Sequence, residues 1–223
     1  MNVGELENRT LIKRGRTWFS PDVWRVLHGP ERLILKDYSC RPLLGRLWGR
    51  WVVAREQEVL RRLEGIPGVP QWRGAVGHYG FLMTELSGDP LPRRGLRART
   101  GPEFFDACMR LLEDVHARGV AHGDIRRKNF LMSPDGAPAL IDFQTAWIDG
   151  RGWVRHRIFL FLATVDRWNL VRMKMKSFPH ALTEGERELL ARPPRLLQLG
   201  RFVRQKVYAR LFPKRARKTT DLD

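Results

Sequence analysis

Two short stretches in the C-terminal half hold residue types that can do chemistry. One is His122-Gly123-Asp124, with Asn129 five positions after the aspartate, and the other is Ile141-Asp142-Phe143. Between them, the apolar runs Phe130 to Met132 and Ala139 to Phe143 flank Ser133-Pro-Asp-Gly-Ala-Pro138 and predict a hairpin. Such a hairpin returns the chain so that Asp142 lies beside Asn129. Two oxygen-bearing side chains are then expected to face one space. In the N-terminal half Glu56 falls on the apolar stripe of a predicted helix, four residues after Val52 and three before Val59. A bare carboxylate there suffers desolvation and needs a cation. Glu58, two positions round and on the side of Arg61 and Arg62, reads as solvated.

The elements that must position these residues are legible in outline. Val23 to Leu27 and Arg32 to Asp37 predict a hairpin about the Gly-Pro of His28-Gly-Pro-Glu31. Trp48, Val52, Val59 and Leu63 recur as one face of a helix from about Leu47 to Leu63, which Gly65-Ile-Pro-Gly68 stops. A second strand pair, Trp72 to Val76 and Phe81 to Leu86, follows. After the loop-like Ser87 to Pro92, a helix beginning after Pro102 sets Phe104, Cys108, Leu111 and Val115 on one face and ends at Gly119. From Trp147 onward the chain reads as helical.

In this order and on these elements, the motifs resemble the protein-kinase-like catalytic core. Its H-x-D-x-x-x-x-N pattern is matched by Asp124 and Asn129, and its D-F-G aspartate by Asp142. Leu-Ile-Leu-Lys36 is similar to the V-A-I-K strand, and Thr84-Glu85-Leu86 looks like the hinge whose backbone meets adenine. The resemblance implies a bilobal α+β fold with a small β-rich N-lobe and a mainly helical C-lobe. It implies ATP and Mg²⁺ as cofactors, with Asp124 at the acceptor hydroxyl and Asn129 and Asp142 on the metal. Lys36, partnered by Glu56, would hold the nucleotide phosphates, with Glu85 and Leu86 at the base. His122 reads as a structural loop histidine. The implied division is a nucleotide-binding lobe at 1–86, a catalytic lobe at 87–191 and a basic helix and tail at 192–223.

The chain departs from that pattern in ways that bear on the acceptor. No G-x-G-x-x-G precedes the first hairpin, Gln144 stands where D-F-G has its glycine, and A-P-E is absent. The segment after Asp142 is expected to run directly into helix, with no platform for an extended peptide. These features resemble the small bacterial kinases related to the lipopolysaccharide core (Kdo and heptose) kinases, and the RIO-type kinases. A sugar or lipid-linked sugar hydroxyl of the cell envelope is therefore the expected acceptor. A protein serine or threonine is the alternative, and a nucleotide-binding pseudokinase scaffold is the rival from outside catalysis.

Composition agrees with such a protein. With 223 residues and 43% apolar content, each of two lobes can bury a core, so a disordered peptide is excluded. The longest near-continuous apolar run, Ile158 to Val165, is eight residues, less than half of the roughly 20 that span a bilayer as a helix. Met1 to Glu7 has no apolar core, so a cytoplasmic location is expected. The two cysteines offer neither a disulfide framework nor zinc-ligand spacing.

The 41 Lys+Arg exceed the 24 Asp+Glu by 17, and the stretch Arg192 to Lys218 carries ten cations and no acid. There Leu196, Leu199, Val203, Val207 and Leu211 form one stripe, with Arg201, Arg204, Lys206 and Arg210 off it. This predicts a basic amphipathic helix, either packed on the C-lobe or lying on the anionic cytoplasmic face of the membrane. No specific nucleic-acid partner is expected, because no recognition motif accompanies the charge.

Overall fold

A computed structural model of the chain describes residues 9–92 and 95–194. Contacts group the chain into one unit that runs to Leu182 and a second that begins at Thr183. The first unit opens with the strands β1 (Arg9–Lys13), β2 (Asp22–His28) and β3 (Glu31–Asp37). The helix α1 (Leu43–Arg62) and the strands β4 (Trp72–Val76) and β5 (Gly80–Thr84) follow. All five strands pair antiparallel in the order β1-β2-β3-β5-β4. The predicted hairpin is present, with His28 opposite Glu31. Gly29 at its turn has φ 58°, a conformation that a two-residue hairpin turn requires and glycine adopts without a side-chain clash.

Strand parity decides what each face of the sheet meets, since successive side chains point to opposite sides. Leu33 and Leu35 pack with Val26, Val76 and Leu82 in a small cluster. Ile34 and Lys36 alternate with them and line a cavity on the other face. The sequence predicts four strands here, and the sheet has five. Every residue of β1 is exposed, so this edge strand carries no alternation of burial that a periodicity could report. The last strand also ends at Thr84, two residues short of expectation. Val52 and Val59 of α1, and Leu63 just past its end, are buried as predicted, whereas Trp48 is 43% exposed and belongs to a second face.

The rest of the first unit comprises β6 (Asp89–Pro90), α2 (Glu103–Ala117), β7 (Val120–Ala121), β8 (Phe130–Met132), β9 (Pro138–Leu140), β10 (Trp147–Ile148) and α3 (Trp153–Ser177). The face predicted for α2 is the buried one, with Phe104, Cys108, Leu111 and Val115 all inside. The large core cluster draws Leu60, Phe81, Leu112, Phe130, Leu140 and Leu170 into one body and so joins the sheet to the helical part. After Asp142 the chain does not enter helix directly. A single 3₁₀ turn and the short strand β10 intervene, and β10 pairs with β7. Two residues are too few for a strand period to be visible, which is why this stretch reads as helical from sequence.

The second unit contains α4 (Glu184–Ala191), which starts at a capping box in which Thr183 and Glu186 satisfy each other's backbone N–H groups. The basic stripe from Leu196 to Leu211 lies outside the described residues. No described helix is long and apolar enough to cross a membrane.

Candidate active site

Lys36 stands on β3 and Glu56 on α1, and their side chains meet beneath the sheet. The ammonium Nζ lies 2.5 Å from Glu56 Oε1 and 3.2 Å from Asp142 Oδ1. The Lys36 and Glu56 side chains are 8% and 3% exposed. Burial alone would lower the Lys36 pKa, but the carboxylates of Glu56 and Asp142 outweigh it and hold the ammonium above its ordinary value. Burial pushes the Glu56 carboxyl upward against the pull of Lys36. Asp142 moves the other way, held below the usual carboxylate range chiefly by the Lys36 charge. The cation that Glu56 needs is therefore Lys36, and the pair reaches across to Asp142.

The hairpin sets Asp142 and Asn129 side by side. Phe130 faces Leu140 across β8 and β9, and the Ile141 N–H donates to the Asn129 carbonyl at 2.9 Å. Asp142 then turns away with φ 71°, the one non-glycine residue with positive φ among those described. Aspartate tolerates this conformation better than most residues. Asn129 is 2% exposed. Its Nδ2 donates to the Asp124 carbonyl at 2.9 Å and to Asp124 Oδ2 at 3.1 Å, which leaves its oxygen as the group that faces a ligand. Asp124 Oδ2 also pairs with Arg126.

His122 is fully buried and neutral by its bonding. Its Nδ1 accepts from the Asp124 N–H at 3.2 Å, while Nε2 donates to the Ile141 carbonyl at 3.1 Å. Burial also lowers its pKa. It thus ties the loop of Asp124 to the strand end before Asp142. Beneath it Asp166 of α3, wholly buried, accepts the N–H groups of His122 at 2.7 Å and Gly123 at 3.0 Å.

A cavity of about 540 Å³ opens between the sheet and the hairpin. Lys36, Glu85, Leu86, Asn129 and Asp142 all line it, whereas Asp124 does not and is joined to it only through its bond from Asn129. Glu85 lines the cavity together with Arg25. Its N–H donates to the Arg32 carbonyl at 2.9 Å, and its carboxylate is clamped by Arg25 at 2.6 Å. Glu56 lies behind Lys36 and does not line the cavity.

Several site residues escape the sequence reading. Arg126 orients the Asp124 carboxylate. Arg55 donates to the Ala146 carbonyl at 2.6 Å and so fastens the segment after Asp142 to α1. Gln144, at the position of the missing glycine, donates to the Tyr38 hydroxyl at 2.9 Å. Asp166 carried a usable signal, since it directly follows the apolar run Ile158 to Val165 and raises the same desolvation question as Glu56. The long-range partners of Arg55 and Gln144 had none.

The donor set suits Mg²⁺. This ion is commonly held by one or two carboxylates with substrate phosphates and water completing its shell, and Asp142 with Asn129 offers such a partial set. Among the described residues no cluster of three or more His, Cys, Asp or Glu forms a closed protein cage.

The sheet with its helix, the helical lobe and the cavity between them define a bilobal protein-kinase-like fold. The chain is similar to the Rio2 kinase of Chaetomium thermophilum in its ADP/Mg²⁺-phosphoaspartate complex. The TM-score is 0.57 at 16% identity, over 83% of this chain and 61% of that one. Among curated proteins it is 29% identical over 154 residues to CBL-interacting protein kinase 4 of Oryza sativa subsp. japonica, covering 65% of this chain and 34% of the relative. It is 37% identical over 79 residues to mitogen-activated protein kinase kinase kinase 20 of Arabidopsis thaliana, covering 35% and 21%. The chain thus spans about a third or less of the length of these curated relatives. No protein-family model matches it.

Proposed function

We propose that this chain is an ATP-dependent phosphotransferase acting on an alcohol. The observation that carries the reading is the contact of Lys36 with both Glu56 and Asp142, because it joins a strand, a helix and a hairpin end at one cavity. Lys36, fixed by Glu56, would steady the nucleotide phosphates, and Glu85 and Leu86 would border the base. Asn129 and Asp142 would hold Mg²⁺, which when bound neutralises phosphate charge. The acceptor oxygen bonds to the γ-phosphorus as the bond to the β-bridging oxygen breaks. Asp124 takes the hydroxyl proton, and ADP leaves. Catalysis of this kind rests on positioning and charge neutralisation.

The acceptor we favour is a protein serine or threonine, as in a RIO-like kinase acting in the cytoplasm, since two similar curated proteins are named as protein kinases and the similar structure as a Rio2 kinase. One observation supports an anionic sugar or glycolipid instead. A second cavity of about 490 Å³ carries Arg126, Arg127, Lys128, Arg172 and Lys176 with no acid, and it shares Pro90 and Lys128 with the first. Radiolabel transfer from γ-labelled ATP and Mg²⁺ into a cell extract decides between them, as label settles on protein or on extractable glycolipid. Asp142→Ala should abolish metal-dependent turnover and Asp124→Ala should slow transfer about 10²–10⁴-fold. Nucleotide binding without any transfer by the wild type would establish the scaffold reading instead.

A further inference from the structure

The N-terminal half of α1 turns a large apolar face outward. Leu44, Leu47, Trp48 and Trp51 follow the i, i+3, i+4, i+7 spacing of one stripe. All four are more than 40% exposed. The loop before β2 extends the face with Trp18 and Phe19, both more than half exposed. Phe19 stands edge-on to Trp48 with centroids 5.8 Å apart, and Trp48 lies 5.3 Å from Trp51. The loop seats on the helix at Gly45, where a Cβ would overlap the Trp18 carbonyl. The other side of α1 supplies the core through Val52, Val53, Val59 and Leu60, so these aromatics are in excess of what the fold buries. A contiguous exposed patch of this kind marks an interaction surface.

Charge decides what covers it. Arg14, Arg16 and Arg50 are exposed beside the patch. From Tyr38 to Arg55 the sequence contains no acid, and the first exposed carboxylate of α1 is Glu58, two turns beyond Trp51. Asp22, in the strand after the loop, is buried and paired with Arg41. A second copy of the chain would bring its own arginines against these. Residues 195–223 hold nine Lys or Arg and two Asp, a net +7, and so offer these arginines no complementary charge. An anionic bilayer complements all parts at once: tryptophan rings suit the headgroup boundary, leucines the acyl chains, and arginines the lipid phosphates.

We propose that this face docks on an anionic lipid bilayer. The surface is separate from the cavity of Lys36 and stands whether or not the phosphotransferase reading does. The full chain, mixed with vesicles of phosphatidylcholine alone or with equimolar phosphatidylglycerol, should sediment about tenfold more with the anionic vesicles. Brominated acyl chains should quench its tryptophan emission. Added salt should weaken binding, as charges are screened over about 10 Å at 0.1 M. The variant Leu44→Gln, Leu47→Gln changes only exposed positions, keeps every tryptophan, and should unfold at the wild-type temperature while losing the quenching and about tenfold of the binding. Equal quenching and binding by that variant would overturn the proposal, as would a wild type that ignores anionic vesicles. A wild-type dimer that the variant dissociates would assign the face to a second copy.

Discussion

The Lys36 ammonium and the Glu56 carboxylate meet at 2.5 Å in a place that neither reaches through neighbouring sequence, one on β3 and the other on α1. Both side chains are more than nine-tenths buried. Removing one member of such a pair leaves the other charge without compensation. Glu56→Ala should therefore destabilise the protein by about 3 kcal/mol, the low end of the range because Asp142 still faces Lys36. Urea unfolding at pH 7 checks this. A midpoint equal to that of the wild type would show that the pair contributes nothing to the fold.

Asp142 supplies a pH dependence of defined sign. Its pKa is depressed by Lys36, so its contribution is present above the unfolded-state value and disappears as pH falls through the folded one. Asp142→Asn, which keeps a residue tolerant of positive φ, should be less stable than the wild type at pH 7. The gap should close as the pH drops below about 4. Paired unfolding curves across that range would contradict the assignment if the gap widened on acidification.

His122 acts over a different window. Burial holds its folded pKa below the ordinary imidazole value, so the unfolded state binds the extra proton first. Stability should fall as pH decreases from about 6.5, by at most about 1.4 kcal/mol per unit from this group. His122→Gln should be destabilised at pH 7 by about 1–3 kcal/mol through its lost bonds to Asp124 and Ile141. Its stability should also vary less between pH 6.5 and 5. A profile as steep as that of the wild type would place the titration elsewhere.

Gly49 sets helix propensity against packing. Alanine is the better helix former by about 1 kcal/mol. A Cβ at Gly49, however, would lie 2.5 Å from both Cβ and Cγ of Tyr38, at the root of a side chain that is 1% exposed and has no room to swing aside. Overpacking of this kind costs about 1–3 kcal/mol, so packing wins and Gly49→Ala should lower the melting temperature. It should also loosen the bond between Gln144 and the Tyr38 hydroxyl, visible as a shift of the Gln144 side-chain amide resonance. An unchanged or raised melting temperature would mean that Tyr38 yields.

Local pattern carried much of this protein. The parity of Leu-Ile-Leu-Lys36, the stripe holding Val52, Glu56 and Val59, and the turn composition of Ser133 to Pro138 each report a neighbourhood of a few residues. Each of these is recovered as a strand, a helix face and a hairpin. Glu56 was informative for the same reason, since a carboxylate on an apolar stripe states its need for a cation without naming it.

Pattern failed where local order carries no information. The strand β1 is exposed throughout and β10 is two residues long, so neither has a period to read. The outward stripe of Leu44, Trp48 and Trp51 is written in the same apolar letters as the core stripe, and only the folded helix shows which one the sheet covers. The bond of Arg55 to Ala146 spans 91 positions, and that of Gln144 to Tyr38 spans 106. Sequence determines which residue types are available and which elements they favour, because propensity and periodicity act over one or two turns. Which of them share a cavity is decided by burial of the common core, a property of the whole chain that no segment contains.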